Sequence, residues 1–376
     1  MHIFWISLTE ECNFSCTYCF QHASSFLEQP RGKMNSVIAE KISTVIKNFP
    51  GNRVHFFGGE PFLNFSILKR IVQNTSDCTK SFSATTNLSI TNSQILEFIE
   101  EYEIELFVSI DGNRNSHNIG RKFKNGTNSF DIVHNNLKAL LNMISKEKIK
   151  IFKTLTEENY MNFYEDFLFL SSFGIDVTVN IDRNIDYSKI NHSVLKNNIY
   201  KILEALCKQK KSAKFWRLTD DILIYENFGN EKSFIYPDNM CNNLNNFIMT
   251  FDHEGFMYLC HLLFGEQHIK SENNILELNT ADSVYHYFIN EINNRKVFSP
   301  IPKEAILQQI LDKIKTNGCY DCFYKNHCIP LFYTFKKTTC FFERYLYHNN
   351  QNKTFQESFF CIDKFIYETL KTIKGA

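Results

Sequence analysis

The chain has 376 residues, more than one average domain, which favours two domains or one barrel with an appendage. Hydrophobic residues make up 43% of it and 37 are Phe, enough for a large core and against global disorder. The 41 basic and 41 acidic residues cancel, which argues against a nucleic-acid groove or an anionic membrane surface as partner. The apolar stretch at the amino terminus is short and runs into Glu10 and Glu11, unlike a signal peptide. No run approaches the ~18 apolar residues of a membrane helix, so the expected location is the cytoplasm.

In chain order, apolar β-rich runs are expected at 3–8, 53–57, 81–86, 104–110, 149–154 and 175–181. Stretches with helical spacing lie between them at 35–49, 64–74, 91–101, 129–145, 160–173 and 192–208. Six strand–helix units in sequence imply an α/β fold with a parallel sheet and right-handed crossovers, here a curved or partial (β/α)6 barrel. Active residues of such a sheet sit in the loops after the strand carboxyl ends. The period breaks after about residue 215. Residues 1–215 are therefore expected to form the barrel, and residues 216–376 a separate, irregular, Cys-rich and metal-organised domain.

Twelve cysteines are too many for an ordinary cytosolic protein, and the reducing cytosol makes disulfides a poor explanation. Metal ligation is the better one. Ten of the twelve fall into two blocks, 12–19 and 241–361, leaving Cys78 and Cys207 as expected buried structural thiols.

The first block, Cys12-Asn-Phe-Ser-Cys16-Thr-Tyr-Cys19, directly follows the first expected strand. Three closely spaced thiolates can bind three irons of a cubane and leave the fourth open to a small chelating molecule. The competing reading is a zinc knuckle completed by His22, although structural zinc wants four closed ligands. The second motif, Phe57-Gly58-Gly59-Glu60-Pro61, ends the second strand. Its glycines let backbone approach a ligand closely, and its carbonyls and the Glu60 carboxylate can accept from an ammonium group. A plain tight turn with Pro61 at a helix start is the alternative.

Together, Cys-X3-Cys-X2-Cys and Gly-Gly-Glu-Pro resemble the radical S-adenosylmethionine (SAM) enzymes, whose cores are six-stranded partial barrels. The resemblance continues through Val108-Ser109-Ile110-Asp111-Gly112, His117, Arg121 and Ser129-Phe130-Asp131, similar to the fourth-strand region of the peptide-modifying branch. It implies a [4Fe–4S] cluster on Cys12, Cys16 and Cys19. It also implies SAM contacts from Ser109, Asp111 and Arg121, from the Gly58–Pro61 turn, from Tyr18 near the adenine and, more loosely, from Thr86 and Asn87.

The second block is Cys241-X13-Gly255-X4-Cys260, then Cys319-X2-Cys322-X5-Cys328, then Cys340 and Cys361. It resembles the SPASM domain, which carries one or two auxiliary [4Fe–4S] clusters. The family's sixth cysteine falls here on Phe332, and Cys340 stands in its place. The family pattern implies one cluster on Cys319, Cys322, Cys328 and Cys361, and another on Cys241, Cys260 and Cys340 with no evident fourth ligand. A zinc ribbon using His327 is the bland alternative.

The resemblance implies reductive cleavage of SAM to a 5′-deoxyadenosyl radical that abstracts hydrogen from a ribosomal precursor peptide. A crosslink, whether cyclophane, carbon–carbon or thioether, is the leading product. It also implies an external reductase of flavodoxin or ferredoxin type. The chain has no room for a leader-binding domain before Cys12, so leader recognition is expected elsewhere. An anaerobic sulfatase maturase is the enzyme alternative. There an aspartate follows the second SPASM cysteine, and here His261 holds that position as the candidate general base. The non-enzyme alternative is an iron–sulfur or zinc protein for binding or electron transfer.

Overall fold

The computed structural model of the chain describes residues 2–19, 32–182, 189–209, 248–258 and 372. The strands are β1 Ile3–Ser7, β2 Asn52–Phe57, β3 Thr79–Thr86, β4 Glu105–Ser109, β5 Ile149–Leu155, β6 Asp176–Ile181, β7 Ile248–Phe251 and β8 Met257–Tyr258. The helices are α1 Ser36–Lys47, α2 Phe65–Thr75, α3 Ser93–Glu101, α4 Arg114–Gly120, α5 Phe130–Met143, α6 Phe163–Ser171 and α7 His192–Gln209. All six expected strands and all six expected helices are present. Three further elements, α4, β7 and β8, are not among those expected from the sequence. The strand β7 lies beyond residue 215 yet pairs in parallel with β1, Trp5 opposite Thr250.

The strand order is β6-β5-β4-β3-β2-β1-β7-β8. Pairing is parallel from β1 through β5 and between β1 and β7, whereas β8 returns antiparallel on β7. From β1 to β6 the order never reverses, so the sheet has no topological switch point of the doubly wound kind. Same-handed crossovers then place the helices on one face, the arrangement of a partial (β/α) barrel.

Side-chain chemistry separates the two faces. On the helix side Phe4, Ile6, Val54, Phe56, Ala84, Leu106, Val108 and Ile151 are all buried. The helices supply matching stripes, such as Ile38, Ile42, Val45 and Ile46 of α1, recurring at helical spacing. Asparagine caps start several of them, as where Asn35 accepts from Ile38 N and Asn92 from Ile95 N. On the inner face Trp5, Phe107 and Phe152 stay half-buried, interleaved with His55, Ser83 and Thr85. His55 stands between Ser83 Oγ at 2.8 Å and Thr85 Oγ1 at 3.0 Å, its ring 4.2 Å from that of Trp5.

The described residues form two compact units, and the first (2–154, 165–178 and 248–258) holds the whole cysteine loop and its supports. In the second, Asn198 of α7 donates to the carbonyls of Tyr160 and Met161, both at 3.0 Å. Among the described residues no helix is long and apolar enough to cross a membrane.

Candidate active site

The chain leaves β1 at Ser7 and runs as a loop through Cys12, Cys16 and Cys19, at the carboxyl end of the sheet. Two segments grip it. From the β2 side, Gly59 N donates to Thr9 O at 2.7 Å and Glu60 N to Glu11 O at 2.8 Å. A Cβ on Gly58, whose φ is +129°, would come 2.3 Å from Thr9 O. One on Gly59 would come 2.0 Å from Glu11 O. The close approach that needs these glycines is therefore to the cysteine loop itself. From the other side, Ser15 N donates to Lys122 O (2.8 Å), Thr17 N to Gly120 O (3.0 Å) and Lys124 N to Asn13 O (3.0 Å). Phe14 and Phe123 meet edge to face at 4.8 Å.

Cys12, Cys16 and Cys19 are all half-buried. Cys12 Sγ receives Phe14 N–H at 3.4 Å and an Asn87 side-chain N–H at 3.7 Å. Burial pushes the Cys12 thiol up to about 11 and the Cys16 thiol up to about 12. The neighbouring cysteines raise both further, while Arg121 opposes the rise at Cys16. Gathered thiolates are thus unfavourable alone and favourable around cationic iron. Among the described residues no three His, Cys, Asp or Glu converge on one ion position. Three thiols on one loop, with N–H donors on Cys12 Sγ, fit a cubane, in which each thiolate binds its own iron. Cys12, Cys16 and Cys19 are the residues that would hold it.

At the end of β4, Asp111 is the hub of a buried network. Its Oδ2 accepts from Arg121 Nε at 3.0 Å and from the Tyr18 hydroxyl, and its Oδ1 accepts from Thr154 N at 2.8 Å. The Arg121 guanidinium lies 5.2 Å over the Tyr18 ring. A Cβ on Gly120 would sit 2.6 Å from that ring. Burial alone would push the Asp111 carboxyl up, but Arg121 and then Lys153 outweigh it and hold it below the usual carboxylate range. His117 fixes the other end of the arginine segment. Its Nδ1 accepts from Asp111 N at 3.4 Å, which leaves Nε2–H for Ser129 Oγ at 3.0 Å. Ser129 in turn donates to Arg121 O at 2.7 Å. Burial pushes the His117 pKa down to about 3, so the ring is neutral.

The structure brings Tyr18, Asp111 and Arg121 to the loop between Cys16 and Cys19. Thr86 and Asn87 come to the side bearing Cys12, and Ser109 ends β4 next to Asp111. Glu60 departs from expectation. Its carboxylate is fully enclosed and accepts from Phe62 N (3.2 Å), Thr86 Oγ1 (2.8 Å) and Asn87 N (2.7 Å). It is turned into the fold to tie the ends of β2 and β3, rather than outward to an ammonium group. Burial pushes its pKa up to about 7 against those donors. Pro61 starts a 3-10 turn, Pro61–Asn64, for which Glu60 is the cap. Cys78 is half-buried, its thiol donating to Thr75 O at 3.3 Å, and is not the core thiol expected. Cys241, Cys260, His261, Cys319, Cys322, Cys328, Cys340 and Cys361 lie outside the described residues, as do His22 and the Cys207 side chain. Gly120, Phe123, Lys153 and Asp166 also belong to this site, and no motif in the sequence marks them.

The Radical SAM superfamily model matches residues 6–167, a span that runs from β1 into α6. Residues 6–167 are a radical SAM domain. The chain is 28% identical over 176 residues to an uncharacterized protein of Methanocaldococcus jannaschii, a match covering 45% of this chain and 58% of that one. It is 26% identical over 169 residues to the radical SAM cyclopropyl synthase TigE of Paramaledivibacter caminithermalis, covering 39% and 36%. It is 27% identical over 174 residues to an S-adenosylmethionine-dependent nucleotide dehydratase of Psychrobacter lutiphocae, covering 43% and 58%. The matches thus span less than two thirds of each relative.

Among solved structures, anSMEcpe with bound AdoMet is similar with a TM-score of 0.62 at 17% identity, over 94% of this chain and 100% of that one. SuiB of Streptococcus suis bound to precursor peptide SuiA gives 0.55 at 18% identity, over 75% and 64%. At such identities the likeness establishes the fold: the radical SAM domain sits in a partial barrel shared with both.

Proposed function

We propose that this chain is a radical SAM peptide maturase. A [4Fe–4S] cluster with SAM, when bound, supplies an electron to the SAM sulfonium and so a 5′-deoxyadenosyl radical able to take hydrogen from an unactivated carbon. The chain's own residues do the rest. Cys12, Cys16 and Cys19 hold the cluster in a loop braced on both sides. Arg121, fixed by Asp111, places a permanent cation beside Cys16, where the carboxylate of SAM would be received. Tyr18 offers an aromatic face next to it, and the Gly58–Gly59 turn, Ser109, Thr86 and Asn87 complete the rim. The half-buried aromatic inner face of the sheet excludes water from the reacting carbon. The observation that carries this reading is the cysteine loop: three thiols at the carboxyl end of β1, within electrostatic reach of one another, with N–H donors on Cys12 Sγ.

The substrate we propose is a ribosomal precursor peptide, crosslinked within itself. The support is the shared fold with SuiB, which was crystallised with its precursor peptide. In this reading residues 1–215 form the core together with β7 and β8, and the rest of residues 216–376 carry one or two auxiliary clusters as electron sinks, with His261 the base. A flavodoxin- or ferredoxin-type protein is the reductant, and the cytoplasm is the location.

The test begins with air-free reconstitution, dithionite and SAM. Release of 5′-deoxyadenosine is expected, with none from the Cys12→Ala/Cys16→Ala/Cys19→Ala variant. Cleavage by that variant would overturn the ligand assignment. Coexpression with a peptide encoded beside the gene should give a product lighter by two hydrogens. A reactive aldehyde in its place would mean sulfatase-maturase chemistry. Turnover of a nucleotide and not of any peptide would overturn the substrate class.

A further inference from the structure

The reaction as proposed makes no use of one buried ion pair. Along β5, Ile149, Ile151, Lys153 and Leu155 share the helix-facing side, and all four are buried. A lysine on such a stripe breaks the pattern of its own strand. Lys153 Nζ lies 3.2 Å from Asp166 Oδ2 of α6, both side chains wholly enclosed. Burying two charges is costly enough that such a pair adds little net stability, and an apolar pair would serve the core as well.

What the pair does hold is the turn after β4. Lys153 Nζ also donates to the Asp111 carbonyl, and Asp166 Oδ1 accepts from Asn113 N at 3.2 Å. The intervening Gly112 has φ +146°, and a Cβ there would lie 2.2 Å from Asp166 Oδ1. Residues 111–113 are therefore pinned at both ends by one pair and pressed against it in the middle. Asp111, so placed, turns its carboxylate to Arg121 and Tyr18. We infer that Lys153 and Asp166 are positioning residues of the radical SAM site: from the far side of the sheet they set the Asp111–Asn113 turn, and through Asp111 the places of Arg121 and Tyr18 beside the cysteine loop. The inference rests on the reading of that loop as the SAM site.

The decisive variant is Lys153→Met/Asp166→Asn, which removes both charges, keeps their shapes and keeps an acceptor for Asn113 N. A pair needed only by the core would leave the site unchanged in this variant. Positioning predicts a melting temperature close to wild type but faster amide exchange across residues 111–121 in the cluster-free chain, by about tenfold. In the reconstituted protein it predicts full iron at the amino-terminal site and SAM affinity weakened about tenfold. That affinity is read from the spectral change of the reduced cluster on SAM addition, with KM for SAM rising more than kcat falls. Wild-type exchange and SAM affinity in the folded double variant would overturn the inference alone. Failure of wild-type protein to bind SAM would overturn the reading of the site together with it. Should the double variant not fold, Lys153→Arg keeps the charge but replaces a point donor with a wider fork. It should weaken SAM binding about threefold, and unchanged affinity there would overturn the inference.

Discussion

Glu60 and Asp111 are both completely buried carboxylates at strand ends, one on each side of the cysteine loop, and burial alone would push both up. They end on opposite sides of their ordinary range. Glu60 meets only neutral donors and rises to about 7, whereas Asp111 meets Arg121 and Lys153 and stays low. Partner charge, not depth, decides the ionisation of a buried acid. The two sides of the loop are therefore built differently. The Cys12 side is tied by hydrogen bonds between neutral groups and one titratable acid, and the Tyr18 side by permanent charges.

The strongest way to break the contrast is Asp111→Asn, which leaves Arg121 buried without its anion. A loss of about 3–5 kcal/mol in denaturant unfolding is expected, together with loss of SAM binding. Glu60→Gln keeps the shape but sets an amide N–H against a backbone donor. About 1–3 kcal/mol is expected, with iron retained.

The pH dependence sharpens the comparison. Glu60 binds its proton more tightly folded (about 7) than at its ordinary value of 4.5, so its contribution is fully present below 4.5 and is lost as pH rises through 7. His117 binds its proton less tightly folded (about 3) than at 6.5, so its contribution is present above 6.5 and is lost as pH falls toward 3. Stability of wild type minus Glu60→Gln should fall with rising pH, and that of wild type minus His117→Gln should rise. Each slope approaches about 1.4 kcal/mol per pH unit within its window. Parallel slopes would refute the contrast. The smallest effect is expected at the exposed pair Arg70–Glu40, 2.8 Å apart. Arg70→Ala should change unfolding by less than about 1 kcal/mol, and less still in high salt.

Much of this was legible in one dimension. The six expected strands and helices fall within a few residues of the observed ones, because periods of two and 3.6 report which face each element buries. The cysteine spacing after the first strand and the double glycine after the second marked the site's position. The helix α4, Arg-Asn-Ser-His-Asn-Ile-Gly, escaped because it has no apolar period and is started by the Asn113 cap instead. Four-residue β7 escaped because its partner, β1, lies more than 240 residues earlier in the chain. The one available signal for the buried pair was Lys153, on the same side of its strand as Ile149 and Ile151.

By itself, then, the sequence determined which segments pair and pack and where the thiols lie along the chain, since these follow from local period and spacing. Only the tertiary structure decided what the polar residues do there. Glu60 turned inward, Asp111 gathered Arg121 and Tyr18, and Lys153 found Asp166, because a buried charge is settled by partners that only folding brings within reach.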